Sequence, residues 1–143
     1  MARYYGIVQS SWPPEKAFAY MADFSKVPEW DESFESAELH SPDPLQVGAR
    51  FRLQGKSLGR AVEFDYETVE IDAPRRVTLR TETGAIVSLD KISVRERPGG
   101  SLVEYDANLQ AKGPLKLLDP LLSLWFRRIG DRAKAGLERE LNR

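Results

Sequence analysis

The segment 84–94, GAIVSLDKISV, reads as a β-strand with Asp90 at its centre. A carboxylate pointing into an apolar interior is costly unless it is paired, hydrogen-bonded or protonated. The direction of Asp90 therefore decides whether it is surface or chemistry. Other reactive residue types are scarce. His40, the only histidine, stands beside Ser41-Pro42 at a strand end. It is expected to be exposed, and with no serine elbow near it, it completes no triad. The chain has no cysteine, which excludes disulfides, thiolate metal sites and cysteine nucleophiles. No histidine–carboxylate group has metal-ligand spacing, so no metal is expected. GKSLG (55–59) and Gly99-Gly100 read as hairpin turns rather than phosphate loops, because neither opens a helix. No cofactor is expected. Redox, metal and nucleotide chemistry are therefore disfavoured, and what remains is a placed acid or base.

The elements that would position such a group follow from composition and pattern. With 143 residues, 41% hydrophobic and 30% charged, the chain reads as one globular domain over 1–143. It carries 21 basic and 22 acidic residues, a net charge of −1, and shows no basic stripe. Nucleic acid is therefore not an expected partner. The one basic cluster, Arg127, Arg128, Arg132 and Lys134, is interleaved with Asp131, Glu138 and Glu140 and reads as the solvated face of a helix. No basic segment followed by an apolar run opens the sequence, and no apolar stretch approaches bilayer length. A cytoplasmic location without stable membrane insertion is expected.

Residues 3–9 read as a short strand. Pro13 and Pro14 suit the first turn of a helix capped by serine or tryptophan, with Phe18, Met21 and Ala22 at helical spacing. Asp23-Phe24-Ser25 restarts a second short helix ending near Trp30. Six strands are expected over 34–40, 48–54, 60–71, 76–82, 86–96 and 101–111, joined by links too short for parallel crossovers. Val62, Phe64 and Tyr66 alternate with Glu63, Asp65 and Glu67, the pattern of a sheet with one wet face. Asp119 as cap and Pro120 in the first turn predict a helix over 120–142, on the order of 34 Å long. Leu122, Trp125, Ile129, Ala133, Leu137 and Leu141 form its apolar stripe, and Gly130 and Gly136 would let another group approach closely. Leu115, Leu117, Leu118, Leu121, Leu122, Leu124, Trp125 and Phe126 are too many for one helical face, so some must face elsewhere. They are expected against Phe24, Val27 and Trp30, with a pocket mouth or a homodimer contact as the alternatives. The architecture is α+β: a seven-stranded curved antiparallel sheet around a long C-terminal helix.

Hairpin registers orient Asp90. A two-residue loop at Thr83-Gly84 sets Val77, Leu79 and Thr81 opposite Asp90, Ser88 and Ile86, and a loop over 97–100 sets Asp90 opposite Ala107 and Lys91 opposite Asp106. Cross-strand partners share a face, so both hairpins turn Asp90 inward, together with Ser88, Thr81, Tyr66 and Tyr105. Two roles stay open for it. It is a structural fixture, capping a backbone group or pairing with Arg127, Arg128 or Arg132, or it is a polar anchor or general base for a ligand.

Three stretches, PPEKAFAYMADFSKVPEWD (13–31), VGARF (47–51) and VEYDANLQAKGPLKLLDPLLSLWFRRIGDRAKAGLERELN (103–142), resemble the START-like, or Bet v 1-like, superfamily. The likeness is to its small bacterial polyketide cyclase/dehydrase-related branch. It implies a helix-grip fold with a hydrophobic cavity between sheet and helix. Members bind lipids, sterols, polyketides or other apolar molecules, and a minority catalyse cyclisation, dehydration or hydrolysis. The leading expectation is thus a hydrophobic small-molecule partner bound against Phe51, Leu53, Phe64, Tyr66, Leu79, Tyr105, Trp125 and Ile129. Asp90, with Ser88, Thr81 or a tyrosine, would orient its polar end. The alternatives are a cyclase or dehydratase using Asp90 as acid/base, and an interaction protein whose cavity is filled by its own side chains.

Overall fold

The computed structural model describes residues 2–57 and 60–143. Strand β1 (Ala2–Ser10) leads into helix α1 (Pro14–Ala22) and a short 3₁₀ helix over Phe24–Glu29. Strands β2 (Phe34–Leu39), β3 (Arg50–Ser57), β4 (Arg60–Asp72), β5 (Arg76–Glu82), β6 (Ile86–Arg97) and β7 (Gly100–Ala111) follow. A second 3₁₀ helix, Gly113–Leu118, precedes the long helix α2 (Asp119–Glu140).

The sheet runs β1-β7-β6-β5-β4-β3-β2, antiparallel throughout. The order has a simple origin. Every link from β2 onward is ten residues or fewer, too short for a parallel crossover, so each strand returns beside the last. The one long connection, through α1 and the first 3₁₀ helix, carries the chain from β1 to the far edge. Six strands then meander back until β7 pairs with β1. The curved sheet grips α2 in its concavity, the helix-grip architecture.

Several local expectations are corrected. Pro13, not a serine or tryptophan, occupies the cap of α1, with Pro14 as its first residue and no side-chain cap bond. Helix α2 starts at Asp119 with Leu118 at the cap position, because the preceding 3₁₀ turn runs straight into it. The loop of the β5–β6 hairpin is Gly84-Ala85 rather than Thr83-Gly84. Thr83 N–H donates to the Ile86 carbonyl (2.9 Å), and Thr81, Leu79 and Val77 stand opposite Ser88, Asp90 and Ile92. The slip is by two positions in register, so every side chain keeps its face. The β6–β7 register stands as read, with Asp90 opposite Ala107 and Lys91 opposite Asp106, although the Asp106 carboxylate is gripped by both nitrogens of Arg3 (2.9 and 3.0 Å). Of the turn expected at 56–59, Leu58 and Gly59 lie outside the described residues.

The core is built mainly from Phe18, Met21, Phe24 and Val27, packed on Phe51, Leu53, Leu79, Ile92, Val94 and Val103 of the sheet. Helix α2 joins it only at its C-terminal end, where Ala133, Leu137 and Leu141 are buried. That end is tied down twice. The Ser10 hydroxyl donates to the Leu141 carbonyl (2.8 Å). Gly136 packs so close to Trp30 that an added Cβ would sit 2.0 Å from the Trp30 carbonyl oxygen, and only glycine permits that approach. The N-terminal half of the helix makes no such contact with the sheet. Leu115, Leu118, Leu121, Leu124 and Trp125 are exposed, and Leu117 keeps 85% of its surface in water. The expected packing of this leucine-rich segment on Phe24, Val27 and Trp30 does not occur. Those three residues are buried in the core cluster without it. Among the described residues, no helix is long and apolar enough to cross a membrane.

Candidate ligand-binding site

Where α2 stands off the sheet, a cavity of about 560 Å³ opens between them, within the usual size range of small-molecule sites. The filled cavity of the interaction-protein expectation is thereby overturned. Alternating residues of five strands wall one side, Val8, Leu53, Phe64 and Leu109 among them, and Leu122, Trp125, Phe126 and Ile129 of α2 wall the other. Trp125 is half-exposed (49%) and marks the mouth with Thr83 and Ala85 of the β5–β6 turn.

Of the residues singled out from sequence, Leu53, Phe64, Tyr66, Ser88, Asp90, Tyr105, Trp125 and Ile129 come together on this cavity. Phe51, Leu79 and Thr81 do not. They point to the same side of the sheet, but Phe51 and Leu79 are sealed in the packed core, with the Phe51 ring 6.2 Å from Phe24. The Thr81 hydroxyl is spent on the Asp65 carbonyl (2.7 Å). His40 is exposed beside Glu38 (3.1 Å). Arg127 and Arg128 face solvent, and Arg132 lies 3.7 Å from Glu32.

Asp90 points inward and is 6% exposed. Its partners are hydroxyls, not the arginines considered for it. Tyr105 Oη donates to Oδ2 in a short bond, and Ser88 Oγ donates to Oδ1 at 3.1 Å. The Ser88 hydroxyl also bears on the Tyr66 phenol, where it opposes the rise that burial imposes. Burial raises the Asp90 carboxyl to about 6, the bonds from Tyr105 and Ser88 oppose that rise, and the charge of Asp31 adds to it. Burial likewise pushes the Tyr66 and Tyr105 phenols well above their ordinary value, reinforced by the Asp90 charge. Both phenols therefore stay protonated as donors.

A second carboxylate escaped the sequence reading. Asp31, 8% exposed, lines the same cavity. It closes the turn after the first 3₁₀ helix, where its Oδ1 accepts from Ser33 N–H (3.0 Å) and Ser33 Oγ (2.6 Å). Burial raises its pKa against those two bonds. The sequence carries a trace of this: D-x-S is the pattern of an aspartate that bonds the backbone two residues on. The result is a lopsided site, an apolar chamber with one polar pole formed by Asp31, Ser33, Tyr66, Ser88, Asp90 and Tyr105. Among the described residues, no three histidine or acidic side chains converge as a metal site.

A curved antiparallel sheet closed on a C-terminal helix around an apolar chamber defines the START-like class. The chain belongs to the polyketide cyclase/dehydrase and lipid transport family, whose model matches residues 1–142. Among solved structures it is similar to a START superfamily protein from Mycobacterium smegmatis, at 13% identity and a TM-score of 0.79 over 99% of this chain and 97% of that one. It is also similar to TTHA0849 from Thermus thermophilus (18% identity, TM-score 0.76, 98% and 95% covered). The third likeness is to the ginseng major latex-like protein 151 from Panax ginseng (18% identity, TM-score 0.61, 94% and 95% covered). At these identities the likeness is one of fold. No curated protein matches the chain.

Holding Asp90 ionised in this setting costs stability. Because its folded pKa lies above the unfolded value, the fold favours the protonated form. Stability falls as pH rises from the usual carboxylate range through about 6, and the loss is complete above it. The difference from the ordinary value of 3.8 corresponds to about 3 kcal/mol. Asp90→Asn removes the titration. Urea unfolding at pH 4 and pH 8 should therefore show the variant gaining about 2–3 kcal/mol on the parent between the two. Stability curves that run parallel would contradict the assignment.

Proposed function

We propose that the protein binds a hydrophobic small molecule, lipid-, sterol- or polyketide-like, in the chamber between sheet and helix, with its polar end at Asp90. The observation that carries this reading is the chamber itself: a volume of about 560 Å³, largely apolar walls and a cluster of buried polar groups around Asp90. The family to which the chain belongs, with lipid transport in its description, supports it. Burial of apolar surface would drive binding at ~25 cal/mol per Å², less the cost of ordering ligand and mouth. Trp125 tests the reading without disturbing the core, since it walls the mouth while half in water. In a titration with the neutral apolar dye Nile red, Trp125→Ala should weaken affinity about tenfold, the equivalent of ~1.4 kcal/mol, and leave the melting temperature of the protein unchanged. Equal affinity in parent and variant would contradict the site.

A second reading gives the same pole a chemical task. A carboxyl brought to about 6 and hydrogen-bonded to a tyrosine has the properties of a general base near neutral pH. It would serve a cyclase or dehydratase acting on an apolar substrate. Turnover of a polyketide-like substrate would then rise with pH through about 6 and vanish in Asp90→Asn while binding survives. Turnover retained in the variant would remove Asp90 from the chemistry.

A further inference from the structure

The hydrogen-bond inventory of the polar pole restricts what the polar end of a ligand can be, given that the chamber binds one. Each hydroxyl that bonds one of the two carboxylates has a single proton, and each of those protons is already used. Tyr105 and Ser88 donate theirs to Asp90. The Ser33 hydroxyl and N–H both donate to Oδ1 of Asp31. The capacity left over is for accepting. The free lone pairs of Asp90 are available, and so is Oδ2 of Asp31, which takes no bond from any described residue although the side chain is more than nine-tenths buried on the chamber wall.

Charge points the same way. No lysine or arginine among the described residues forms an ion pair with Asp31 or Asp90. The two cations that line the chamber, Arg132 and Lys134, lie beside surface carboxylates, Glu32 at 3.7 Å and Glu138 at 4.0 Å. Two buried carboxylates without a cation are strongly unfavourable in a low-dielectric setting, and a bound cation is the direct remedy.

We propose that the chamber takes an amphiphile whose polar end is a protonated amine on an apolar body, with the ammonium donating to Asp90 and Asp31, and that it discriminates against fatty carboxylates. This rests on the binding function proposed above and names its ligand class. A carboxylate head would meet two like charges and, apart from Tyr66, hydroxyls with no proton left to give, so its acceptors would be desolvated with too few partners. An ammonium offers three donors and a full charge to acceptors that lack both.

The test is displacement of Nile red by dodecylamine, dodecanol and dodecanoate, three probes with one tail and different heads, each below its micellar concentration at neutral pH. Dodecylamine should displace the dye at a concentration at least about tenfold below that of dodecanoate, with dodecanol between. Asp90→Asn should bring the amine and the alcohol to within about twofold of each other. Asp31→Asn should shrink the same ratio, and it serves as the second variant if Asp90→Asn does not fold. Glu96→Gln removes an exposed carboxylate that does not line the chamber and should leave the ratio as in the parent. Equal potency of the three heads, or stronger displacement by dodecanoate, overturns the proposal while leaving apolar binding intact. A ratio that falls as much with Glu96→Gln as with Asp90→Asn also overturns it, by assigning the selection to overall charge. Failure of the dye to bind at all removes the binding function itself, and this inference with it.

Discussion

The structure depends on where helix α2 is allowed to touch the sheet. Gly136 brings the helix backbone onto the Trp30 carbonyl, and the Ser10 hydroxyl holds the Leu141 carbonyl. Ala133, Leu137 and Leu141 are buried behind these contacts. This fixes one end of a rigid 22-residue rod. A helix cannot bend sharply without a proline, a bulge or a break in its hydrogen-bond ladder, so the other half is held away from the curved sheet. The chamber is the space that follows. Its apolar walls come without special provision, because strand alternation turns Leu53, Phe64 and Leu109 inward and helical spacing turns Leu122, Ile129 and Phe126 to meet them.

Against that apolar background the polar pole stands out energetically. An interior optimised for stability alone would place leucine or asparagine at position 90, since an isolated carboxylate there is strained toward protonation. The fold instead surrounds Asp90 with Tyr105 and Ser88 and sets a second carboxylate, Asp31, on the same chamber. Side chains that lower stability yet are held in place by surrounding hydrogen bonds are characteristic of sites selected for something other than stability. The binding reading and the acid–base reading share this pole and differ only in whether a proton moves.

Much of the fold was legible in the sequence because β-structure repeats every two residues. Asp90 illustrates how robust that signal is: the β5–β6 loop lies one residue later than expected, yet the error displaces the partner by two, and the inward direction survives. Depth was not legible. Phe51, Leu79 and Thr81 obey the same alternation as Leu53 and Ser88, and only the three-dimensional placement of Phe24 and its neighbours decides which are sealed and which line a chamber. Asp31 was missed for a different reason. It sits in an irregular turn between a 3₁₀ helix and β2, where no periodicity assigns a direction. The leucines at the start of α2 exceed what one helical face can hold and are expected against Phe24, Val27 and Trp30, yet tertiary geometry leaves Leu115, Leu117, Leu118, Leu121 and Leu124 in water.

The central claim is that this chamber holds an apolar molecule. Freshly purified protein, weighed by mass spectrometry first under native and then under denaturing conditions, tests it most directly. The account predicts an excess mass in the native spectrum that is lost on denaturation and belongs to a small amphiphile. A native mass equal to that of the polypeptide, unchanged after incubation with an excess of lipid extract, would contradict it.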